Sequence, residues 1–419
     1  MNTITSRRRL LTVATSATGG MVLLSGRRPT QSSSVLRYAP SVPDSIRDKA
    51  ERAKRRVETM LDLELQSPVT VKIAEGAPFS HDTGDPLDRF GQIKNTAVHA
   101  SRADDPPDEV GPSGMFLYDE RTMLLTSPPV DESTIAHELV HALQGERFDS
   151  LDPPNRTVDG RRTRHAIVEG TAQYIQTRYW MNCSDGEYGH CDIEEPAFQN
   201  GIPRWILPRN SIAIPVGIAF VHTLYERAGW AGVWEAHRSF PPHTAAIMFS
   251  QLYLNGPFDP ESVPSPTIYG DNWVEIDASR IGVTGLYAKL RLLGAASPTA
   301  VSDVDESLAE LARRTGIQTL PGDARLADWR GDRLTGYGHL DNLDRQAYRW
   351  DTAWASETAA GRIATAVTEQ YDASAHRDAD RWVLDGLVVD IHHADNIVTF
   401  TMAPTHDDHD ALFDPDGTQ

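Results

Sequence analysis

The feature that most constrains this sequence is the motif HELVH at residues 137–141. Residues four apart lie on one face of a helix, so His137 and His141 can direct both imidazole rings at a single point. Neutral imidazoles are good Zn²⁺ ligands, and Glu138 stands where it can accept a proton from a metal-bound water. The motif therefore predicts two ligands of a zinc site with a general base beside them.

The residues around the motif favour a helix. Asp131 is predicted to cap its N-terminus, and Ile135 and Leu139 belong to an apolar stripe at helical spacing. Gly145 is predicted to end it. The alternative is a surface helix that carries two histidines by chance, and a third metal ligand would argue against that alternative.

The third ligand is predicted at Glu169, in the segment TRHAIVEGTAQYIQTRYW. This segment has the apolar spacing of a second helix, where a carboxylate is costly to bury unless it is paired or bound to a metal. Gly170 and Ala172 are predicted to let this helix approach the first one closely. Gln173, one turn after Glu169, is a candidate hydrogen-bond partner for a ligand histidine.

Net charge limits the partners of the chain. It carries 59 acidic and 40 basic residues, a formal net charge of −19. A surface that binds nucleic acid must be basic, so nucleic acid is not an expected partner. Lysine is scarce, and a surplus of carboxylates with few lysines favours a protein that stays soluble in high salt. A mesophilic protein encoded by GC-rich DNA is the alternative explanation of this composition.

Residues 1–26 have the pattern of an export signal. Arg7 and Arg8 lie in SRRRLL, which fits a twin-arginine motif, and an uncharged run of small and apolar residues follows. We therefore expect export to the cell surface or beyond, with a basic disordered tail as the alternative. Residues 27–42 are predicted to be a linker, and no later stretch is long and apolar enough to span a membrane.

The two cysteines, Cys183 and Cys191, bracket the sequence SDGEYGH. In an exported chain such a pair is most often a disulfide, which stabilises a fold mainly by restricting the unfolded chain. A second metal site that includes His190 is the alternative, although a fourth ligand for it is not evident.

Local patterns assign most of the remaining chain. Helices are predicted over 44–62, 279–294, 306–316 and 346–368, and 201–256 is predicted to be a mostly helical block. Strands are predicted over 68–75, in a hairpin of 116–118 with 123–126, in a strand–turn–strand unit over 323–339, and on both sides of a turn at 394–396. The Pro-, Gly- and Asp-rich segment 76–112 is predicted to be a loop.

Several polar side chains of the second half carry their own predictions. His222 and His237 are predicted to be surface or capping residues, and so is His243, for which a place in the active-site cleft is the alternative. Asp332 and Arg333 are predicted to form an internal ion pair. The alternative is that Arg333 reaches the site and polarises a substrate carbonyl.

These motifs resemble those of a known class. HELVHALQ followed by a helix with VEGTA is similar to the gluzincin class of zinc metallopeptidases, whose third ligand is a Glu on a later helix. Over residues 40–404 the chain resembles more closely a family of Tat-exported haloarchaeal surface proteins, through VGIAFVHTLYERAGWAGVWEAHRSFPP, DWRGDRLTGY and RWVLDGLVVDIHHADNIVTFTMAP. It departs from that pattern at Ile214–Val216 and in HTAAIMFSQLY, where substrate contacts are expected.

The predicted fold class is α+β. A zincin-like core over 43–200 would hold a small sheet, the HExxH helix and the Glu169 helix. A largely helical C-terminal lobe over 201–404 would follow and end in a β-hairpin. The acidic tail, residues 405–419, is predicted to be disordered.

The predicted function is zinc-dependent hydrolysis of a peptide or protein substrate outside the cell membrane. Zn²⁺ would be bound by His137, His141 and Glu169, with Glu138 as the general base. The candidate donors to the transition state are Tyr174, His243, Arg333 and Tyr337. The alternative is a cell-surface protein that keeps the zincin scaffold without cleaving, which the departures at 214–216 favour. The sequence gives no indication of the oligomeric state.

Overall fold

The structure is a computed structural model that describes part of the chain. The described residues are 35–74, 88–105, 113–126, 129–193, 203–209, 212–264, 268–300, 304, 306–314, 319–378 and 380–413. The predicted signal segment and residues 27–34 of the predicted linker lie outside them. From Val35 onward the chain forms one compact unit. None of the helices in the described ranges is long and apolar enough to cross a membrane.

The described chain contains both helices and strands, largely in separate runs, so the fold is α+β, as the sequence predicts. The helices are α1 (Asp44–Leu61), α2 (Arg89–Ala97), α3 (Glu132–Arg147), α4 (Val158–Ser184), α5 (Ala213–Arg238), α6 (Ala245–Met248), α7 (Ser250–Leu254), α8 (Val283–Leu293), α9 (Glu306–Arg314), α10 (Glu357–Ser374) and α11 (His406–Phe413). The strands are β1 (Leu36–Tyr38), β2 (Val69–Ile73), β3 (Gly114–Leu117), β4 (Thr122–Leu125), β5 (Trp273–Ser279), β6 (Thr299–Ala300), β7 (Thr319–Leu320), β8 (Trp329–His339), β9 (Asn342–Trp354), β10 (His376–Asp378), β11 (Arg381–Leu384), β12 (Leu387–Ala394) and β13 (Ile397–Ala403).

In the described first half, four strands form a sheet in the order β1-β2-β4-β3. Strand β2 runs parallel to β1 and β4, and β3 is antiparallel to β4 at the edge, which confirms the predicted hairpin. Val69 and Val71 alternate into the core because neighbouring side chains of a strand point to opposite faces. The linker prediction is wrong at Leu36–Tyr38, because these residues pair with β2.

The helix that carries HELVH begins where the sequence predicts and ends later. The Asp131 side chain accepts a hydrogen bond from the Ser133 backbone N–H at 2.6 Å, so the predicted N-cap is confirmed. Gly145 does not end the helix, which continues to Arg147. A Cβ on Gly145 would lie 2.9 Å from a ring carbon of Tyr118, so this glycine leaves room for that ring.

Gly170 of α4 lies close to the backbone of α5. A Cβ on Gly170 would lie 2.7 Å from the carbonyl carbon of Gly217, and one on Gly217 would lie 1.9 Å from the carbonyl oxygen of Ala166. The prediction that Gly170 faces the HELVH helix is therefore wrong, because this side of α4 packs against α5. The close approach holds the helix that carries Glu169 against its neighbour.

Substituting Gly217 with Ala should destabilise the fold. The new methyl group overlaps backbone atoms of α4, which cannot move as a flexible side chain can, so the two helices must separate. We expect a loss of about 1–3 kcal/mol in the free energy of unfolding, the usual cost of overpacking a core. Urea unfolding measures it.

The matched control is Gly361→Ala, in the interior of α10. There the nearest atom to an added Cβ is a ring carbon of His393 at 3.4 Å, an ordinary contact. This variant should gain up to about 1 kcal/mol from helix propensity. An equal change in the free energy of unfolding for Gly217→Ala and Gly361→Ala would contradict the close approach of α4 and α5.

In the described second half, the main element is a seven-stranded antiparallel sheet in the order β10-β11-β12-β13-β9-β8-β5. The prediction of a largely helical lobe is therefore wrong. Helices α2, α8 and α10 share one apolar core with the sheet. Helix α11 packs against the other face through Leu412, which is fully buried.

Two predictions for segments of this sheet, one of a helix and one of a strand–turn–strand unit, need correction. Residues 346–368 are not one helix, because Tyr348, Trp350, Thr352 and Trp354 alternate along β9 with a period of two, and α10 begins only at Glu357. The unit over 323–339 is not strand–turn–strand. A short 3₁₀ turn precedes one continuous strand, and Gly331 lies at an irregularity of register inside it.

Both segments that were predicted to lack structure contain a helix. Within 76–112, α2 is capped by the Asp88 carboxylate, which accepts from the Gly91 N–H at 2.6 Å. Within 405–419, α11 is held by an ion pair between Arg345 and Asp408. Residues 76–87, 106–112 and 414–419 lie outside the described ranges. The disulfide between Cys183 and Cys191, just after α4, is present as predicted.

Candidate metal centre

Three predicted ligands meet between α3 and α4. The Nε2 atoms of His137 and His141 are 3.1 Å apart, and Oε2 of Glu169 lies 3.5 Å and 3.2 Å from them, respectively. No other group of at least three His, Cys, Asp or Glu residues in the described ranges could hold a metal in this way. The Glu169 side chain keeps 22 % of its surface exposed, so a further ligand can approach from solvent.

The distances between the three ligand atoms fit a cation with tetrahedral coordination. Metal–ligand bonds of about 2.0–2.1 Å put tetrahedral ligands about 3.3–3.4 Å apart. Three acceptor atoms at 3.1–3.5 Å repel one another unless a proton or cation lies among them. Two imidazoles and one carboxylate also form the ligand set of catalytic zinc sites, which leave one position open.

Each imidazole is oriented through its other nitrogen. Gln176 Oε1 lies 3.1 Å from Nδ1 of His137, and Gln144 Oε1 lies 2.8 Å from Nδ1 of His141. An amide oxygen only accepts, so both Nδ1 atoms carry the proton and both Nε2 lone pairs are available to a metal. Tyr118 Oη adds a contact of 3.0 Å to Nδ1 of His141.

A further layer holds Gln144 in place. Its Nε2 donates to the carbonyl of Val168 at 2.9 Å and approaches Nε2 of His237 at 3.1 Å. His237 is buried and in turn contacts the carbonyl of Val233. The prediction of a surface or capping role for His237 is therefore wrong, because this ring connects α5 to the HELVH helix.

Glu138 lies beside the ligands against the edge strand. It is only 4 % exposed, and a Cβ on Gly114 of β3 would lie 3.0 Å from its Oε1. Burial raises the pKa of Glu138, and the neighbouring ring of His137 opposes the rise. A carboxylate with a raised pKa accepts a proton more readily at neutral pH.

The ligands are electrostatically coupled to one another. Burial lowers the pKa of His141, but the Glu169 carboxylate outweighs that effect and raises the pKa to about 9. The same contact holds the pKa of Glu169 well below its usual value, against the effect of burial. In a metal-free site the imidazolium of His141 would therefore balance the carboxylate, and a metal would have to displace its proton.

The four predicted transition-state donors lie elsewhere. Tyr174 faces α5, where it contacts His222 and packs on Trp230. Each ring nitrogen of His243 is occupied by backbone, Nε2 at the Phe258 carbonyl and Nδ1 at the Ala246 N–H, so its capping role holds although it is fully buried.

Arg333 and Tyr337 belong to the seven-stranded sheet. Arg333 pairs with Glu275 on the neighbouring strand, and the Tyr337 ring contacts Phe413 of α11. The predicted pair of Asp332 with Arg333 is wrong, because adjacent residues of a strand point to opposite faces. Tyr174, His243, Arg333 and Tyr337 thus have partners outside the metal centre.

Sequence reasoning missed several residues of the site. The candidate partner Gln173 has no described contact with either ligand ring, whereas Gln176 does. Gln176 stands seven residues after Glu169 and His165 stands four before it, so helical spacing alone could have placed both on its face. His165 interacts electrostatically with Glu169 and His141, and burial lowers its pKa.

The match to a known protein family lies in the C-terminal part of the chain, outside the candidate metal centre. A family model described as a domain of unknown function (DUF8575) matches residues 273–412. This stretch runs from β5 to α11 and contains none of the three ligands. Neither a curated protein nor a solved structure matches the chain.

Proposed function

We propose that the chain is an exported zinc metallopeptidase of the gluzincin type. The observation that carries the proposal is the convergence of His137, His141 and Glu169, whose ligand atoms lie within 4.8 Å of one another, with Glu138 beside them. The four-stranded sheet with α3 and α4 is compatible with a zincin-like core. The N-terminal motif SRRRLL and the disulfide support export to an oxidising compartment.

The residues of the site suit hydrolysis of an amide. Zinc held there would supply a water with a pKa of about 7 and would polarise the scissile carbonyl. Glu138, next to His137, would accept the proton of the attacking water and deliver it to the leaving amine. His165 lies on the face of α4 that carries Glu169. Because it also interacts electrostatically with Glu169 and His141, we propose its neutral imidazole as a donor to the developing oxyanion in place of the four residues predicted from the sequence.

The substrate is proposed to be an extended peptide. Strand β3 lies at the edge of its sheet, so a peptide can add to it through backbone hydrogen bonds. Gly114 of this strand touches Glu138, which would bring the added backbone next to the general base. Met115 keeps 37 % of its surface exposed and is available to a substrate side chain.

Metal removal tests the proposal. We expect purified protein to hydrolyse a quenched-fluorescence peptide library in high salt, to lose this activity after treatment with a chelator, and to regain it with one equivalent of zinc. Elemental analysis of the same samples follows the metal. Bound zinc without hydrolysis at any salt concentration would support the alternative of a non-catalytic surface protein, and protein that neither holds zinc nor binds it when it is added would reject the metallopeptidase.

A further inference from the structure

A buried guanidinium lies where α4 meets α8. Arg162 is fully buried, and its Nη1 donates to Thr284 Oγ1 at 3.3 Å. Gly285 of α8 lies against it, since a Cβ there would be 3.2 Å from Nη1. Nε and Nη2 of Arg162 have no hydrogen-bond partner in the described part of the protein. Open donors on a buried cation are costly, so these two point to a bound acceptor.

The nearest carboxylates are already used by other donors. Asp159 accepts from the backbone N–H and hydroxyl of Thr244 and pairs with Arg280 at 2.9 Å. Asp332 accepts from three donors, which are the backbone N–H groups of Ile281 and Gly282 and the indole of Trp350. Both carboxylates affect Arg162 only through space, and neither accepts from its Nε or Nη2.

A second cation, the Lys94 ammonium, interacts electrostatically with Arg162. The Lys94 side chain, on α2, is partly buried, and its ammonium makes no hydrogen bond or ion pair with the described residues. Burial and repulsion from Arg162 and Arg161 lower the pKa of Lys94 to about 8. The Asp88 carboxylate, which caps α2, opposes this lowering of the Lys94 pKa, so Lys94 interacts with two positive groups and one negative group.

We propose that Arg162 and Lys94 bind a small monovalent anion, such as chloride, at the junction of α4, α8 and α2. The complete enclosure of Arg162 favours a small inorganic ion over the carboxylate of a substrate. A bound anion would accept from Nε and Nη2 of Arg162 and from the Lys94 ammonium. It would thereby tie the first turns of α4, two turns before Glu169, to the C-terminal sheet and its helices. This inference is independent of the proposed zinc chemistry.

Bromide provides the direct test, because it replaces chloride and scatters anomalously. Crystals of the full chain grown in sodium bromide should show an anomalous peak within hydrogen-bond distance of Nε or Nη2 of Arg162. A site that holds only water would show no such peak, and this result would overturn the proposal.

Thermal unfolding provides the test in solution. At equal ionic strength, the wild type should have a Tm several degrees higher in sodium chloride than in sodium gluconate, because an ion that binds only the folded state stabilises it. Equal Tm values in the two salts would also overturn the proposal. Because Arg162→Met can itself unfold the chain, Lys94→Met is the deciding variant, and the chloride effect should shrink in it. The matched control is Lys54→Met, since this partly buried lysine of α1 pairs with Glu58 at 2.7 Å and does not contact Arg162, and it should keep the full effect.

Discussion

Replacing Glu138 with Gln is expected to lower kcat for peptide hydrolysis by about 10²–10⁴-fold, the contribution of a positioned general acid–base group. Gln keeps the shape of the side chain, so its contact with Gly114 of β3 is retained. An amide cannot accept the proton of an attacking water, whereas the buried carboxylate can. The ligand atoms of His137, His141 and Glu169 are untouched, so bound zinc should stay at the wild-type level.

The measurement is a kcat comparison on one quenched peptide, with zinc determined by elemental analysis of the same samples. Glu146→Gln is the matched control, because it makes the same change on the same helix at a residue that contacts Arg121 and the backbone of Ser67 instead of the ligands. The control should retain kcat. Undiminished hydrolysis by Glu138→Gln would reject Glu138 as the general base while leaving the metal site standing.

Replacing Glu169 with Ala is expected to weaken zinc binding by more than about 100-fold. Removing an outer partner of a ligand usually costs about 10–100-fold in metal affinity, and removing a ligand should cost more. The structure offers graded controls on the same helix. Gln176→Ala, which removes the contact to Nδ1 of His137, should fall within the 10–100-fold range. Gln173→Ala, without a described contact to either ring, should bind zinc like the wild type.

The pH dependence of binding gives a second readout of the same variant. Zinc must displace the proton that the Glu169 carboxylate holds on His141, so wild-type affinity should rise with pH until the pKa of about 9 is passed. Without metal, this raised pKa contributes stability that is complete below the ordinary histidine value of about 6.5 and is lost as the pH rises through about 9. In Glu169→Ala the rise in affinity should end at a lower pH. Competitive titration with a chromophoric chelator measures the zinc affinity at each pH. An unchanged dependence of affinity on pH in Glu169→Ala would argue against the contact between Glu169 and His141.

Local patterns were sufficient for several predictions in the first half of the chain. The N-cap Asp131, the β3–β4 hairpin and the disulfide each depend on residues close together in sequence, where spacing and side-chain chemistry act directly. The convergence of His137, His141 and Glu169 required one further assumption, that two predicted helices pack against each other. Their roles in zinc chemistry remain predictions.

The wrong predictions concern segments whose structure depends on contacts with residues far away in the sequence. Residues 346–354 were predicted to be helical together with the Ala-rich segment that follows them, but β9 pairs with β8 and β13 on both sides and is a central strand. The acidic tail became α11 because Leu412 is buried on the far face of the sheet. The assignment of donors failed for the same reason, since Tyr174 and Arg333 take partners that only the packing of α5 and β5 supplies.

The sequence by itself determined which residue types could bind a metal, the position of Glu138 between the two histidines, and the helical spacing that puts both imidazoles on one face. These follow from bonding geometry within a few residues. Only the tertiary structure decided which face of α4 meets α5, which glutamines contact the rings of His137 and His141, and which donors of Arg162 are buried without a described hydrogen-bond partner. Those outcomes depend on contacts between segments far apart in the chain, where burial and close packing outweigh local propensity.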